Sequence, residues 1–260
     1  MGRLPPDDVR DWLLDALGEL VFLQGEAPFV SGRLRLPTDE DFPDPWTGDL
    51  ASLKRLSLRM LDYCGMEGFE VRLERFEGDK QLQFSSTGEA SFRHEGAAAW
   101  FAGIQGKTVR FGCSDHQLAE AGEGLVGVMA HEVAHAYRAA HGLMVGDRDL
   151  EERLTDLTTV YLGFGVFTLN NTYRFRSYTH GGLGSGYSIS RAGYLSPESM
   201  AYLFAAQILC RELSCWQTWR LLRWLEPRQR SHVKVALRQL RPSDAVWKRL
   251  RPALPEVPLL

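Results

Sequence analysis

The chain has little of what marks a secreted or membrane-embedded protein. Its four cysteines are scattered, with no Cys-x-x-Cys pair, so neither a disulfide framework nor a redox motif is expected. No apolar run reaches the roughly 18 residues that a membrane-spanning helix needs. The first residues lack a charged segment followed by an apolar one, so no secretory signal is expected. These absences predict a cytoplasmic protein that does not contact a membrane.

An excess of charge of one sign is missing as well. The formal net charge is −3, from 30 basic and 33 acidic side chains in 260 residues. This balance gives no general attraction to nucleic acid, which is therefore not expected as a partner. A hydrophobic fraction of 44% and an aromatic fraction of 11% are typical of a globular chain rather than a disordered one.

One short motif indicates a possible metal-binding site. Residues 131–135 read His-Glu-Val-Ala-His, the H-E-x-x-H pattern, within a stretch of small and apolar residues. On a helix, positions four apart share a face, so His131 and His135 can bind one zinc ion together. Glu132 can then accept a proton from a water molecule that the metal activates. The pattern predicts a buried helix over about residues 122–141.

A catalytic zinc ion needs a third protein ligand. The next predicted helix, which opens at Asp147, carries Glu152 and Asp156 on one face. One of these carboxylates can bind the metal while the other accepts a hydrogen bond from a ligating histidine and fixes its tautomer. The spacing leaves the choice open, and Glu151 and Cys113 are further candidates for the ligand.

H-E-x-x-H followed on the next helix by E-x-x-x-D resembles the gluzincin branch of the zinc metallopeptidases, over about residues 107–165. The resemblance implies a Zn²⁺ cofactor, Glu152 as the third ligand and Asp156 as the residue that orients His131. It also implies a His or Tyr, located after the Glu152 helix, that stabilises the oxyanion. Residues 172–194 offer Tyr173, Tyr178, His180, Tyr187 and Tyr194, and none of them is singled out.

Hydrophobic periodicity predicts the other elements. Helices are expected over residues 7–20, capped by Asp7 or Asp8, over about 49–64, and from Pro197 onward with Ser196 as cap. Strands are expected at 69–76, 81–84 and 107–113, while 96–103 fits a strand or a short helix. Two loops are expected: an acidic surface loop at 31–49 and a mobile loop at 172–194, whose glycine cluster at 181–186 suits a lid.

Together these elements predict an α+β fold that is mainly helical. We expect a zincin-like core, with a small sheet beside the H-E-x-x-H helix, and a helical C-terminal half. Three regions are expected: an N-terminal helix and acidic loop over 1–46, a metal-binding core over 47–194, and a C-terminal helical region over 195–260 that packs on the core.

Residues 211–251 combine eleven basic residues with three acidic ones and four tryptophans. One interpretation is a basic surface for an acidic protein partner. The other is a set of ordinary helices, with arginine outside and tryptophan inside, that dock on the acidic loop. We favour the second interpretation, since most charge runs are solvated helix faces.

The expected function is that of a zinc-dependent metallopeptidase acting on a peptide or protein substrate, with Glu132 as the general base. Two alternatives stay open. One is a non-catalytic, zinc-stabilised interaction module that uses the basic C-terminal helices. The other is a zinc hydrolase acting on a non-peptide amide. The presence of Glu132 favours catalysis, because a structural zinc site does not need it.

Overall fold

The computed structural model describes residues 2–76, 99–114, 123–178 and 194–241, together with Val246 and Leu250. This part of the chain is mainly helical, with one small sheet. Its helices are α1 (Asp7–Gln24), α2 (Ala27–Val30), α3 (Leu50–Tyr63), α4 (Glu123–Ala140), α5 (Arg148–Tyr161), α6 (Gly165–Tyr178), α7 (Pro197–Cys210), α8 (Cys215–Leu222) and α9 (Pro227–Leu240). Its strands are β1 (Glu70–Phe76), β2 (Ala99–Gln105) and β3 (Thr108–Ser114). None of these helices combines the length and the apolarity that a bilayer crossing requires.

The sheet is mixed, with the strand order β1–β3–β2. β1 runs parallel to β3, with Glu70 opposite Thr108. β2 pairs with β3 in the antiparallel direction, with Ala99 opposite Cys113. A short turn at Gly106, whose φ is +60°, joins β2 to β3. β3 is therefore the central strand and β2 lies at one edge of the described sheet.

The structure confirms most of the predicted strands. β1 and β3 match the strands expected at 69–76 and 107–113. Within residues 96–103, which fitted either a strand or a short helix, residues 99–103 form part of β2, and residues 96–98 lie outside the described part of the chain. The strand expected at 81–84 lies outside the described residues.

α4, which carries the H-E-x-x-H motif, is enclosed by its neighbours. It packs against β2 on one side and against α3, α5 and α6 on the others. Space is tightest at Gly127, where an added Cβ would lie 2.5 Å from Nδ2 of Asn171 in α6. At this close approach, the Asn171 side-chain amide donates a hydrogen bond of 2.8 Å to the carbonyl of Gly124. The predicted helix over about 122–141 is confirmed, and it ends before Gly142, whose φ is +67°.

Two helix starts test the predicted caps. The Ser196 hydroxyl accepts a hydrogen bond from the backbone amide of Ser199, so the predicted cap of α7 is confirmed. α1 begins directly after Pro6, with no side-chain cap, and the cap predicted at Asp7 or Asp8 is wrong. Both aspartates lie in the first turn instead, where the helix dipole favours negative charge.

α6 corrects the loop that was predicted over 172–194. The helix continues to Tyr178, because its first half is anchored by buried apolar side chains such as Phe167 and Leu169. Tertiary burial therefore outweighs a tyrosine-rich composition that pointed to a loop. Residues 179–193, which include His180 and the glycine cluster at 181–186, lie outside the described part of the chain.

The acidic segment at 31–49 lies only partly on the surface. Asp41 is 1% exposed, and its carboxylate accepts a hydrogen bond from the Leu36 amide and pairs with Arg33 and Arg35. Asp44 pairs with Arg59 of α3. These ion pairs join the segment to its own arginines and to α3, and Arg211 donates a hydrogen bond to the Gly32 carbonyl. The docking of the C-terminal helices on the acidic loop stays a prediction.

The C-terminal helices also correct the interpretation that places tryptophan inside. Trp216 and Trp219 of α8 are 60% and 56% exposed, and Trp224 is 39% exposed. The small and branched residues of α8 are the buried ones, for example Thr218 and Leu221. Trp247 lies outside the described residues. The division of the chain into three regions stays a prediction.

Candidate metal centre

α5 turns a polar face toward α4. Several of its polar side chains are buried, and those that meet α4 at the site are Glu151, Glu152, Thr155 and Asp156. They occupy positions i, i+1, i+4 and i+5, which share one side of a helix. Burial of such groups is costly unless each finds a partner, and α4 provides the partners.

His131, His135 and Glu152 converge at this interface. Nε2 of His131 lies 3.0 Å from Oε2 of Glu152, and Nε2 of His135 lies 3.5 Å from the same oxygen. The three side chains are buried, and their potential ligand atoms all lie within 4.8 Å of one another. A tetrahedral zinc ion with bonds of about 2.0–2.1 Å holds its ligand atoms about 3.4 Å apart. The group could therefore hold a metal ion with little rearrangement.

The other proposed ligands have different positions. Asp156 contacts the opposite ring nitrogen of His131, with 2.9 Å between Oδ1 and Nδ1. Its second oxygen accepts a hydrogen bond of 2.9 Å from the backbone amide of Leu195. Glu151 forms a two-pronged ion pair with Arg138. The potential metal-binding group found among the described residues includes neither of these acids nor Cys113, which is buried in β3.

His131 has a carboxylate at each ring nitrogen. A neutral imidazole has only one N–H, so it cannot donate to both Asp156 and Glu152. Burial by itself would lower the pKa of His131, but the hydrogen bonds to Asp156 and Glu152 outweigh burial and raise this pKa well above its usual value. The environment of Nε2 therefore favours a positive charge, which can be a proton or a metal ion.

Glu132 faces the strand next to α4. Its Oε2 accepts a hydrogen bond from the backbone amide of Phe101 in β2. The pairing register of β2 with β3 shifts between Phe101 and Gly103, directly beside this contact. The Phe101 ring stacks on His135, with ring centroids 6.3 Å apart and planes 9° from parallel. One residue of β2 thus contacts both the predicted base and a predicted ligand.

Tyr194 lies beside the same group. Its ring centroid is 5.2 Å from that of His131. Burial, followed by the negative charges of Glu152, Glu132 and Asp156, raises the pKa of its hydroxyl well above the usual value. The phenol keeps its proton and can act as a hydrogen-bond donor. The other four candidates for the oxyanion role have side chains outside the described residues.

Several contacts at the site were not identified from the sequence. They involve Arg138, Thr155 and the backbone amides of Phe101 and Leu195. The polar pattern of α5 offered a signal for Thr155, since an extra buried hydroxyl beside Asp156 needs a partner. The two backbone amides could not be predicted from the sequence, because almost every residue type has the same backbone N–H group.

No protein-family model, curated protein or solved structure matches this chain.

Proposed function

We propose that the protein is a zinc-dependent metallopeptidase. The observation that carries this proposal is the buried group of His131, His135 and Glu152 with Glu132 beside it. Two imidazoles and one carboxylate form a ligand set of catalytic zinc sites, in which a fourth position is left for water. A structural zinc site commonly uses four protein ligands, with cysteine among them.

The charges at the site fit a divalent cation. Glu132, Glu152 and Asp156 are buried within one small region, together with two histidines. Buried carboxylates need compensating charge. Arg138, the buried arginine of α4, is paired with Glu151. A Zn²⁺ ion held by His131, His135 and Glu152 would add positive charge beside these acids.

The residues around the site then have distinct roles. A bound zinc ion supplies Lewis acidity, which lowers the pKa of water toward neutrality. Glu132 accepts the proton of the attacking water and passes it to the leaving amine. The Phe101 amide holds one carboxylate oxygen of Glu132, so the other oxygen is oriented for proton transfer. Tyr194 donates a hydrogen bond to the oxyanion that develops on the substrate.

The position of β2 supports a peptide as the substrate. Within the described residues β2 is an edge strand, and it packs against α4 at the level of Phe101. An extended peptide can pair with the edge of a sheet through backbone hydrogen bonds. A small sheet beside the H-E-x-x-H helix also supports the proposed zincin-like core. A cytoplasmic location stays a prediction.

The proposal is tested by metal content together with hydrolysis. The purified protein should contain about one zinc ion per chain, and His131→Ala should lose it, because an imidazole ligand is removed. Glu132→Gln should keep the zinc but reduce peptide hydrolysis by about 10²–10⁴-fold, since the amide cannot accept a proton. Glu19→Gln, on the exposed side of α1, is the matched control and should change neither property. Undiminished hydrolysis by Glu132→Gln would refute the peptidase proposal, and turnover of non-peptide amides alone would favour the alternative hydrolase.

A second candidate function has its own observation. On α8 the Arg220 guanidinium lies 4.7 Å above the Trp216 ring centroid, and that of Arg223 lies 5.1 Å above Trp219. A guanidinium stacked on an aromatic face keeps its N–H edge directed outward, where it can bind carboxylates in pairs. We propose that this Trp–Arg surface of α8, formed by these four residues, binds an acidic protein segment. Each arginine covers one face of its tryptophan ring, which leaves less ring surface for a nucleic-acid base to stack on.

A further inference from the structure

His135 has a partner of a different kind from that of His131. Its Nδ1 lies 3.1 Å from the Thr155 hydroxyl, while Nδ1 of His131 faces a carboxylate. Thr155 is fully buried and lies directly before Asp156 in α5. Two consecutive residues of α5 therefore contact the two histidines of α4.

The direction of the hydrogen bonds follows from the groups involved. The Thr155 hydroxyl lies 3.4 Å from Oε1 of Glu151. A carboxylate only accepts, and a hydroxyl has a single proton, so Thr155 donates to Glu151 and accepts from His135. Nδ1 of His135 is 4.0 Å from the same Oε1, which is too far for a direct hydrogen bond. The hydroxyl bridges the two groups.

Glu151 is in turn held by Arg138. Nε of Arg138 lies 2.7 Å from Oε1 of Glu151, and Nη2 lies 2.9 Å from Oε2. The Val145 amide donates a further hydrogen bond of 3.0 Å to Oε2. Nη2 of Arg138 also donates to the carbonyl of Leu143, so the loop between α4 and α5 is tied to the pair. These contacts explain why Glu151 is not a metal ligand: both of its oxygens are already engaged.

We propose that Arg138, Glu151 and Thr155 form a relay that keeps the His135 proton on Nδ1 and so leaves Nε2 for a metal ion. The relay rests on the proposed zinc site. Its members are positioning residues, because they act through His135 and not on a substrate. A purely structural pair of Arg138 and Glu151 would join α4 to α5 equally well without the Thr155 hydroxyl, so Thr155 is the residue that distinguishes the two roles.

The test uses Thr155→Val, which removes the hydroxyl and keeps the shape, and Thr155→Ser, which restores the hydroxyl. Thr159→Val is the matched control, since Thr159 is also fully buried in α5 and its hydroxyl contacts the Asp156 carbonyl and Thr168 instead of a histidine. Zinc affinity is measured by competition with a chromogenic chelator. The visible spectrum of Co²⁺-substituted protein reports the ligand geometry independently of catalysis.

Loss of an orienting partner typically lowers metal affinity by about 10–100-fold. We expect this loss, with a changed Co²⁺ spectrum, for Thr155→Val, and near wild-type values for Thr155→Ser and Thr159→Val. Equal losses in Thr155→Val and Thr159→Val would show a general packing effect and overturn the relay. Unchanged zinc affinity and spectrum in Thr155→Val would overturn the relay alone and leave the zinc site standing. A wild-type protein that binds no zinc would overturn the metal site and the relay together.

Discussion

Asp156 and Glu152 contact opposite nitrogens of the same imidazole ring. Oδ1 of Asp156 lies 2.9 Å from Nδ1 of His131, and Oε2 of Glu152 lies 3.0 Å from Nε2. The same Glu152 oxygen also lies 3.5 Å from Nε2 of His135. This arrangement divides the two acids into a candidate ligand and an orienting residue, a division that the spacing E-x-x-x-D could not decide without the resemblance.

The division predicts an order of zinc affinities. Glu152→Ala should weaken zinc binding more than Asp156→Asn, because the first removes a ligand atom and the second weakens a hydrogen bond worth about 10–100-fold in affinity. Chelator competition on both variants measures the difference. A greater loss in Asp156→Asn would mean that Asp156 is the ligand and that the proposed geometry is wrong.

The raised pKa of His131 predicts proton release on zinc binding. In metal-free protein, burial opposes the charged ring but the hydrogen bonds to Asp156 and Glu152 outweigh it, so the raised pKa of His131 favours the protonated ring. Zinc must displace that proton. Calorimetry at pH 7 in buffers of different ionisation enthalpy should therefore show a buffer-dependent heat, and Asp156→Asn should release fewer protons. A heat that is independent of the buffer would contradict this prediction.

The same shift has a consequence for the stability of the metal-free protein. A folded-state pKa above the unfolded value of about 6.5 contributes stability that is fully present below that pH. The contribution is lost as pH rises through the folded-state pKa. Thermal unfolding of chelator-treated protein should therefore show stability falling from about pH 6.5 upward, and zinc-loaded protein should lack this decline.

Tyr194 is predicted to act on turnover rather than on metal binding. Tyr194→Phe keeps the ring beside His131 and removes the hydroxyl, so zinc content should not change. Peptide hydrolysis should fall by about 10²–10³-fold, the usual effect of losing one oxyanion donor. Tyr63→Phe is the control, since the Tyr63 hydroxyl donates to the Asp41 carbonyl and not to a residue of the site. Equal turnover in wild type and Tyr194→Phe would remove Tyr194 from the mechanism.

Local patterns predicted the parts of the site that lie on single helices. His131, Glu132 and His135 follow from one helical turn, and Glu152 and Asp156 from the next helix, because side chains four apart share a face. Thr155 was missed because its contact with His135 depends on how α5 packs on α4, and a threonine in a helix often bonds to its own backbone instead.

The remaining contacts depend on tertiary structure that no local pattern encodes. The Phe101 amide reaches Glu132 across 31 positions of sequence, and any residue type could supply it. α6 was predicted as a loop because burial of Phe167 and Leu169, rather than the tyrosines that follow, decides its helical form. Trp216 and Trp219 were expected inside because tryptophan usually is buried, yet α8 buries its smaller residues.

The close approach of α4 and α6 predicts a stability effect at Gly127. Gly127→Ala would place Cβ 2.5 Å from Nδ2 of Asn171, so the hydrogen bond of that side chain to Gly124 has to shift. Overpacking of this kind costs about 1–3 kcal/mol. Urea denaturation measures it, with Gly146→Ala as the control, because an added Cβ there meets nothing within 4 Å. Equal stability of the two variants would show that α4 and α6 separate easily.

The Trp–Arg surface gives the last prediction, which separates binding from catalysis. A synthetic peptide rich in glutamate and leucine should bind α8 and change tryptophan fluorescence. Reversing the charge of Arg220 and Arg223 to glutamate should weaken this binding by at least about tenfold, because both guanidinium edges are lost. Added salt should weaken it as well, since the arginines are exposed. Hydrolysis of a short neutral peptide should stay unchanged, because within the described residues α8 is not among the elements that pack extensively against α4.

The control is a variant with Lys54→Glu and Arg153→Glu, which makes the same change in net charge at exposed positions of α3 and α5. It should bind the acidic peptide as wild type does, whereas Trp216→Ala should bind it weakly because Arg220 loses its support. Anionic vesicles and a single-stranded oligonucleotide serve as competing ligands. Stronger binding to either, or equal peptide binding by the two charge-reversal variants, would refute an acidic protein segment as the partner. The Glu132→Gln variant should bind the acidic peptide as wild type does. Weaker peptide binding by this variant would mean that the peptide occupies the metal site and not α8.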